Sequence, residues 1–218
     1  MYNILFLFLA YYFLIFYTLG VFCARKTLVM KRIAVLASGS GSNAENLVEY
    51  FRKGDLARVT VILSNRKDAF VLERAQRLGV PYLHFSRDDF YSSDKVLRLL
   101  LELQVDLVVL AGFLWLVPPS IVASFERRIV NIHPALLPKF GGKGMFGMHV
   151  HEAVVQSREN ETGITIHWVN SQYDEGDVIF QAKASVLSSD SADDVANKVH
   201  QLEYEHFPVV LERILLGI

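Results

Sequence analysis

Ile33-Ala34-Val35-Leu36-Ala37-Ser38-Gly39-Ser40-Gly41-Ser42-Asn43 is the stretch that decides how the chain is built. A short apolar run meets a glycine- and serine-rich hexad, and Leu47, Val48 and Phe51 then recur at helical spacing. The order is strand, tight turn, helix, the opening unit of an α/β sheet. Gly39 and Gly41 let an anion approach the backbone closely. The helix beyond, with Ser42 or Asn43 as its cap, offers free N–H groups and the positive end of a dipole. The stretch also spells G-x-G-x-x-A, ending on Ala44, but the next strand, Val59 to Leu63, runs into Ser64-Asn65 with no carboxylate placed for a ribose diol. It therefore reads as a loop for a single phosphate monoester, or as a tight turn without a ligand, rather than as a dinucleotide site.

Further along, Phe70 to Leu78 reads as a helix with Leu72 and Ala75 inward, stopped by Gly79 and followed by Val80-Pro81. A short strand, Tyr82 to Phe85, leads to a leucine-rich helix over Asp94 to Gln104. Asp106 to Ala111 is apolar enough to be buried on both faces, as parallel strands are. A helix from Pro119 to Phe125 returns the chain to Ile129-Val130-Asn131-Ile132-His133. Gly163 to Val169 alternates, with Ile164, Ile166 and Trp168 on one face and Thr165 and His167 on the other, as an edge or antiparallel strand does. Val178 to Ala182 is a further strand, and Ser191 to Leu216 a long helical pattern interrupted at Pro208. The fold class expected is a single α/β domain, a mostly parallel central sheet with helices on both faces.

Asn131 and His133 lie two apart in a strand and so face the same way. Pro134 ends that strand, which puts both side chains at the end of an open α/β sheet where ligands bind. An amide can donate to a developing oxyanion, and imidazole titrates nearest neutrality. Leu114-Trp115-Leu116-Val117, after the apolar strand, reads either as lining for a flat ring or as core at a strand-to-helix junction. Lys139 to Met148 is rich in glycine and reads as a mobile lid, with a helix from His151 to Asn160 after it. His149-Val150-His151 lacks a third metal ligand nearby. His167 faces the site or is a bonded core group; the pattern is compatible with both.

With 218 residues and a formal charge of −1, the chain can bury a core unaided and carries no basic stripe for nucleic acid. Its one cysteine, Cys23, excludes internal disulfides and thiolate metal cages. Residues 1–22 contain no charged side chain and are long enough to span a bilayer. Residues 1–30 therefore read as an apolar extension, either upstream of a start at Met30 or a single membrane anchor, and 31–218 as the globular domain. If the stretch spans, Arg25, Lys26, Lys31 and Arg32 just after it would hold that domain on the cytoplasmic side, and with a start at Met30 the domain is expected in the cytoplasm as well.

From Lys31 onward these motifs resemble the phosphoribosylglycinamide formyltransferase family, in Ser38 to Asn43, Leu110-Ala111-Gly112-Phe113, Asn131 to Pro138, and Asp174-Glu175-Gly176. The resemblance implies a Rossmann-like formyltransferase fold with 10-formyltetrahydrofolate as co-substrate and a small-molecule amine as acceptor, without a metal. By position it implies catalytic roles for Asn131, His133 and Asp174, with Asp174 raising the pKa of a protonated His133. Ribonucleotide contacts fall on Gly41, Ser42, Asn43 and Glu203, and folate contacts on Leu114, Trp115, Leu116, Val117 and Asn131. Trp115 stands where the family pattern leads one to expect a basic residue, and the 141–148 loop is longer and richer in glycine than the bacterial pattern. A formyltetrahydrofolate hydrolase would share the catalytic trio but leave the phosphate loop idle. A membrane-tethered, non-catalytic nucleotide-binding module would need no titrating histidine.

Overall fold

A computed structural model describes residues 30–217, so the readings placed on residues 1–29 lie outside the described residues. Seven strands form one sheet: β1 (Lys31–Leu36), β2 (Ala57–Ser64), β3 (Tyr82–His84), β4 (Leu107–Ala111), β5 (Ile129–His133), β6 (Glu161–Trp168) and β7 (Val178–Ser185). Their order is β3-β2-β1-β4-β5-β6-β7. The strands from β3 to β5 run parallel, and β6 and β7 turn antiparallel. The half-polar alternation around Thr165 and His167 therefore marks the change of direction; β7, not β6, is the edge.

Side chains of β1 alternate between two cores. Ile33 and Val35 pack with α1 (Ser42–Phe51), α2 (Phe70–Leu78) and α7 (Ala192–Leu216), while Ala34 and Leu36 pack with α3 (Arg87–Tyr91), α4 (Lys95–Glu102) and α5 (Pro119–Ser124). Burial on both faces is why β4, and β1 from Ile33 to Leu36, carry no polar residue. On α2 Ala75 is fully buried as expected, but Val71 rather than Leu72 is the other buried residue, and Leu72 only flanks the core. The leucine-rich helix is shorter than its pattern and is preceded by α3, whose Ser86–Asp89 capping box the apolar periodicity did not reveal. Lys31 pairs with Asp106, and Arg32 donates to the Leu103 carbonyl, so both belong to the fold rather than to a free basic flank.

Two local readings are corrected. The cap of α1 is Gly41 in the left-handed conformation, and neither Ser42 nor Asn43 caps through its side chain. Pro208 does not interrupt α7. A proline removes the hydrogen bond to the carbonyl four residues earlier, and here that carbonyl, Tyr204 O, accepts from Asn46 Nδ2 of α1 at 3.0 Å, which restores what the proline took away. Among the described residues no helix is long and apolar enough to cross a membrane.

Gly41 is required twice over: its φ is +77°, and a Cβ there would overlap Val71, including its backbone Cα at 2.8 Å. Gly41→Ala is expected to cost about 3 kcal/mol, from left-handed strain plus overpacking, read as a melting temperature lower by roughly 6–10 °C.

Candidate active site

Sheet order reverses between β1 and β4, and loops after neighbouring parallel strands diverge at such a point to leave a crevice. A cavity of about 570 Å³ opens there. One wall is Ser38 to Asn43 after β1, and another is Ala111 to Leu114 after β4. Asn131 to Pro134 come from the end of β5, Tyr173 and Asp174 from the turn after β6, and Glu203 and His200 from α7. Ser38 stitches the strand ends together: its hydroxyl donates to Asn65 Oδ1 at 2.7 Å and accepts from the Leu114 amide at 3.0 Å.

The register of β5 against β6 sets Asn131 opposite His167 and His133 opposite Thr165. Since both pairs lie on the same face, His167 belongs to the site. Its Nδ1 lies 2.9 Å from the Trp168 carbonyl, which can only accept, so the proton sits on Nδ1 and Nε2 is left to accept. Asn131 Nδ2 donates to that Nε2 at 3.0 Å and to Asp174 Oδ1 at 3.3 Å. Asp174 itself sits at φ +56°, and its other oxygen, Oδ2, accepts from the Gly142 amide at 2.9 Å. The long-range approach of Asp174, invisible in a turn sequence, is thus held by three elements at once.

His133 is 3% exposed. Its Nε2 donates to the Phe140 carbonyl at 2.8 Å, and its Nδ1 faces Asp174 Oδ2 at 3.6 Å, beyond a direct hydrogen bond. Burial pushes the His133 pKa below its ordinary value, against the upward pull of Asp174 and the Phe140 carbonyl. This corrects the expectation of a raised pKa: the carboxylate acts in the direction foreseen, but desolvation of the imidazolium is the larger effect. For Asp174, burial pushes upward, yet the Gly142 amide, together with the His167 and His133 rings when they carry a proton toward it, holds the carboxyl below the ordinary range.

The glycine-rich segment is tied in at its start through Phe140 and Gly142, which bond to the two central titratable groups, and Gly142 to Gly147 continue as cavity wall. The helix after it, α6 (Met148–Gln156), begins three residues before His151 and stops at Gln156, short of Asn160. His149 and His151 do not converge: the first is exposed beside Glu152, and the second is buried in the cavity wall, because residues two apart point to nearly opposite sides of a helix. Burial, with His200 and His133 adding, pushes His151 down to about 4.

At the other end, Asn43 Nδ2 donates to Glu203 Oε2 at 2.9 Å, joining α1 to α7. Burial raises the Glu203 carboxyl, opposed by Asn43 and His200. Asn43 Oδ1 and His151 Nδ1 are buried polar atoms without a partner among the described residues. Gly41, Ser42, Asn43 and Glu203 therefore converge, as do Asn131, His133 and Asp174. Of the apolar loop, Leu114 lines the cavity; Trp115 packs among Phe85, Phe90 and Tyr91, the Leu116 carbonyl accepts from Tyr91, and Val117 is core. Sequence reasoning passed over His200 and Tyr173, and weighed His151 only as a metal ligand or helix start; for His167 the alternation of β6 was the available signal.

Residues 31–211 match the family described as formyl transferase. The chain is 35% identical over 188 residues to phosphoribosylglycinamide formyltransferase of Haemophilus influenzae, covering 84% of this chain and 86% of that one. It is 38% identical over 196 residues to the chloroplastic enzyme of that name from Vigna unguiculata, covering 88% of this chain but only 63%, less than two thirds, of the plant protein. Its fold superposes on the crystal structure of phosphoribosylglycinamide formyltransferase from Streptococcus pneumoniae with a TM-score of 0.75 at 39% identity, covering 85% of this chain and 99% of that one.

Proposed function

The chain belongs to the formyl transferase family, and on that premise we propose that it moves the formyl group of 10-formyltetrahydrofolate to the amine of 5-phosphoribosylglycinamide in purine biosynthesis. The observation that carries this reading is one cavity with a phosphate-type loop, Gly41 to Asn43, at one end and Asn131, His133 and Asp174 at the other. The acceptor's phosphate lies at the loop, its ribose by Glu203, and its amine reaches the trio.

Attack of the neutral amine on the formyl carbon forms a C–N bond, places negative charge on the formyl oxygen and positive charge on nitrogen. His133, kept neutral by burial with its proton on Nε2, has its lone pair on Nδ1 and takes the proton the amine sheds. The imidazolium so formed lies beside the Asp174 carboxylate, which stabilises it. Asn131 donates to the oxyanion in exchange for its long 3.3 Å bond to Asp174. Collapse breaks the bond from carbon to the folate N10, and His133 returns the proton to that nitrogen. Amine and folate thus exchange one formyl group for one proton. The domain works in the cytoplasm on this reading, supported by Arg25 and Lys26 after the apolar stretch.

Folate absorbance, followed with 10-formyltetrahydrofolate in the presence and absence of the ribonucleotide amine, tests the proposal. Turnover that needs the amine is the expected result; turnover without it would make the protein a hydrolase. Asn43→Ala is expected to raise KM for the ribonucleotide about tenfold while kcat changes little, because it removes a contact at the phosphate end and leaves Glu203 without its donor.

A further inference from the structure

The inward face of α6 carries an unpaired histidine. Val150, His151 and Val154 are the buried residues of that helix, and His151 is only 2% exposed. Neither of its ring nitrogens has a hydrogen-bond partner among the described residues, and Nδ1 is sealed from solvent altogether. A buried polar group left unsatisfied lowers stability, whereas an apolar side chain of similar size beside Val150 and Val154 would not. On packing alone the position is better filled by a hydrophobe, so the imidazole answers to something outside the fold.

His151 lines the cavity together with His133, His200 and Glu203. With Nδ1 sealed, its ring meets the cavity by the other edge, at Nε2. The His200 ring stands nearly perpendicular to it, at 84° with centroids 6.4 Å apart, and His200 precedes Glu203 by one turn on the same face of α7. His133 is near enough for its charge, like that of His200, to act on His151. His151 is thus flanked by the ribose end of the site and by the proton-transfer end. An acceptor with its ribose by Glu203 and its amine at His133 lays the amide of its glycinamide along this ring.

The tautomer follows from the burial. A buried N–H without an acceptor is rarer than an unused lone pair, so the proton belongs on Nε2, where the cavity can use it. Burial and the two neighbouring histidines hold the ring at a pKa of about 4, so it is neutral at neutral pH and adds no positive charge beside the imidazolium that His133 becomes.

We propose that His151 is a binding residue for the acceptor, donating from Nε2 to the carbonyl oxygen of the glycinamide and so fixing where the terminal amine points. The proposal rests on the formyl-transfer reading above. His151 takes no part in the proton transfers.

The test uses two acceptors in which a carbocycle replaces the ribose ring, one with the glycinamide carbonyl and one with CH2 in its place. His151→Phe keeps the ring and loses the donor. KM for the carbonyl acceptor should rise about tenfold with kcat changed less than about threefold, while for the CH2 acceptor variant and wild type should agree within about twofold. His151→Gln, which restores a donor, should recover part of the loss. The melting temperature of His151→Phe should equal or exceed that of the wild type, because the unpaired atom is gone. A loss equal for both acceptors, or no loss with the carbonyl acceptor, would overturn the assignment. Calorimetric binding of both acceptors without the folate donor reads the same contact without turnover. A wild-type protein that bound neither would overturn the formyl-transfer reading, whereas wild-type binding that His151→Phe left unchanged would overturn this assignment alone.

Discussion

His133→Ala is expected to lower kcat about a hundredfold or more, since under the proposed mechanism the step that loses its base and its proton donor is the chemical one. The ring is buried, so truncation also removes packing. Melting temperature must therefore be measured beside kcat: a folded variant with a large loss of kcat and a near-normal KM for both substrates is the expected outcome. Retention of kcat in that variant would remove His133 from the mechanism. Phe140 offers a finer check, because its carbonyl selects the tautomer by accepting from Nε2. Displacing that carbonyl would free the proton to move to Nδ1 and take away the lone pair the amine needs.

Asp174→Asn should also lower kcat about a hundredfold, because it deletes the charge that stabilises the imidazolium but keeps the size and the tolerance of positive φ that the turn demands. Its pH dependence carries a sign that separates electrostatics from structure. In the wild-type protein, kcat/KM should rise with pH as His133 loses its proton, with an apparent pKa below the ordinary 6.5, and then level off. Asp174 pulls that pKa upward, so in Asp174→Asn burial acts unopposed and the rising limb moves to lower pH. A limb that moved to higher pH, or stayed in place, would contradict the pairing. Stability follows the opposite logic for Asp174 itself. Its folded pKa is depressed, so its contribution is present above the unfolded carboxylate pKa of about 3.9 and disappears as pH falls through the lower folded value.

Much of the fold could be read from local pattern. Continuous apolar strands announced a parallel sheet, the 38–43 turn announced its first crossover, and the alternation from Ile164 to Trp168 announced the antiparallel end. The misreadings share a cause. Gly41 took the capping position that Ser42 or Asn43 was expected to hold because the helix entry needs a positive φ, leaving Asn43 to reach Glu203 instead. Pro208 looked like a break because helical pattern knows only its own chain; an amide from α1 repaired it. The His133 pKa was misjudged because its neighbour could be named from sequence while its burial could not.

The sequence by itself determined which chemical groups exist and which way they face locally: Asn131 and His133 on one side of β5, a glycine loop ahead of α1, and a carboxylate in a turn. Periodicity and backbone sterics act over a few residues, so a few residues suffice to read them. Only the tertiary structure decided that Asp174 meets Asn131 and His133, that His167 joins them, and that His151 comes to lie beside His200. Those encounters depend on strand order, register and exclusion of water. Each of these belongs to the packed sheet as a whole rather than to any one segment of the chain.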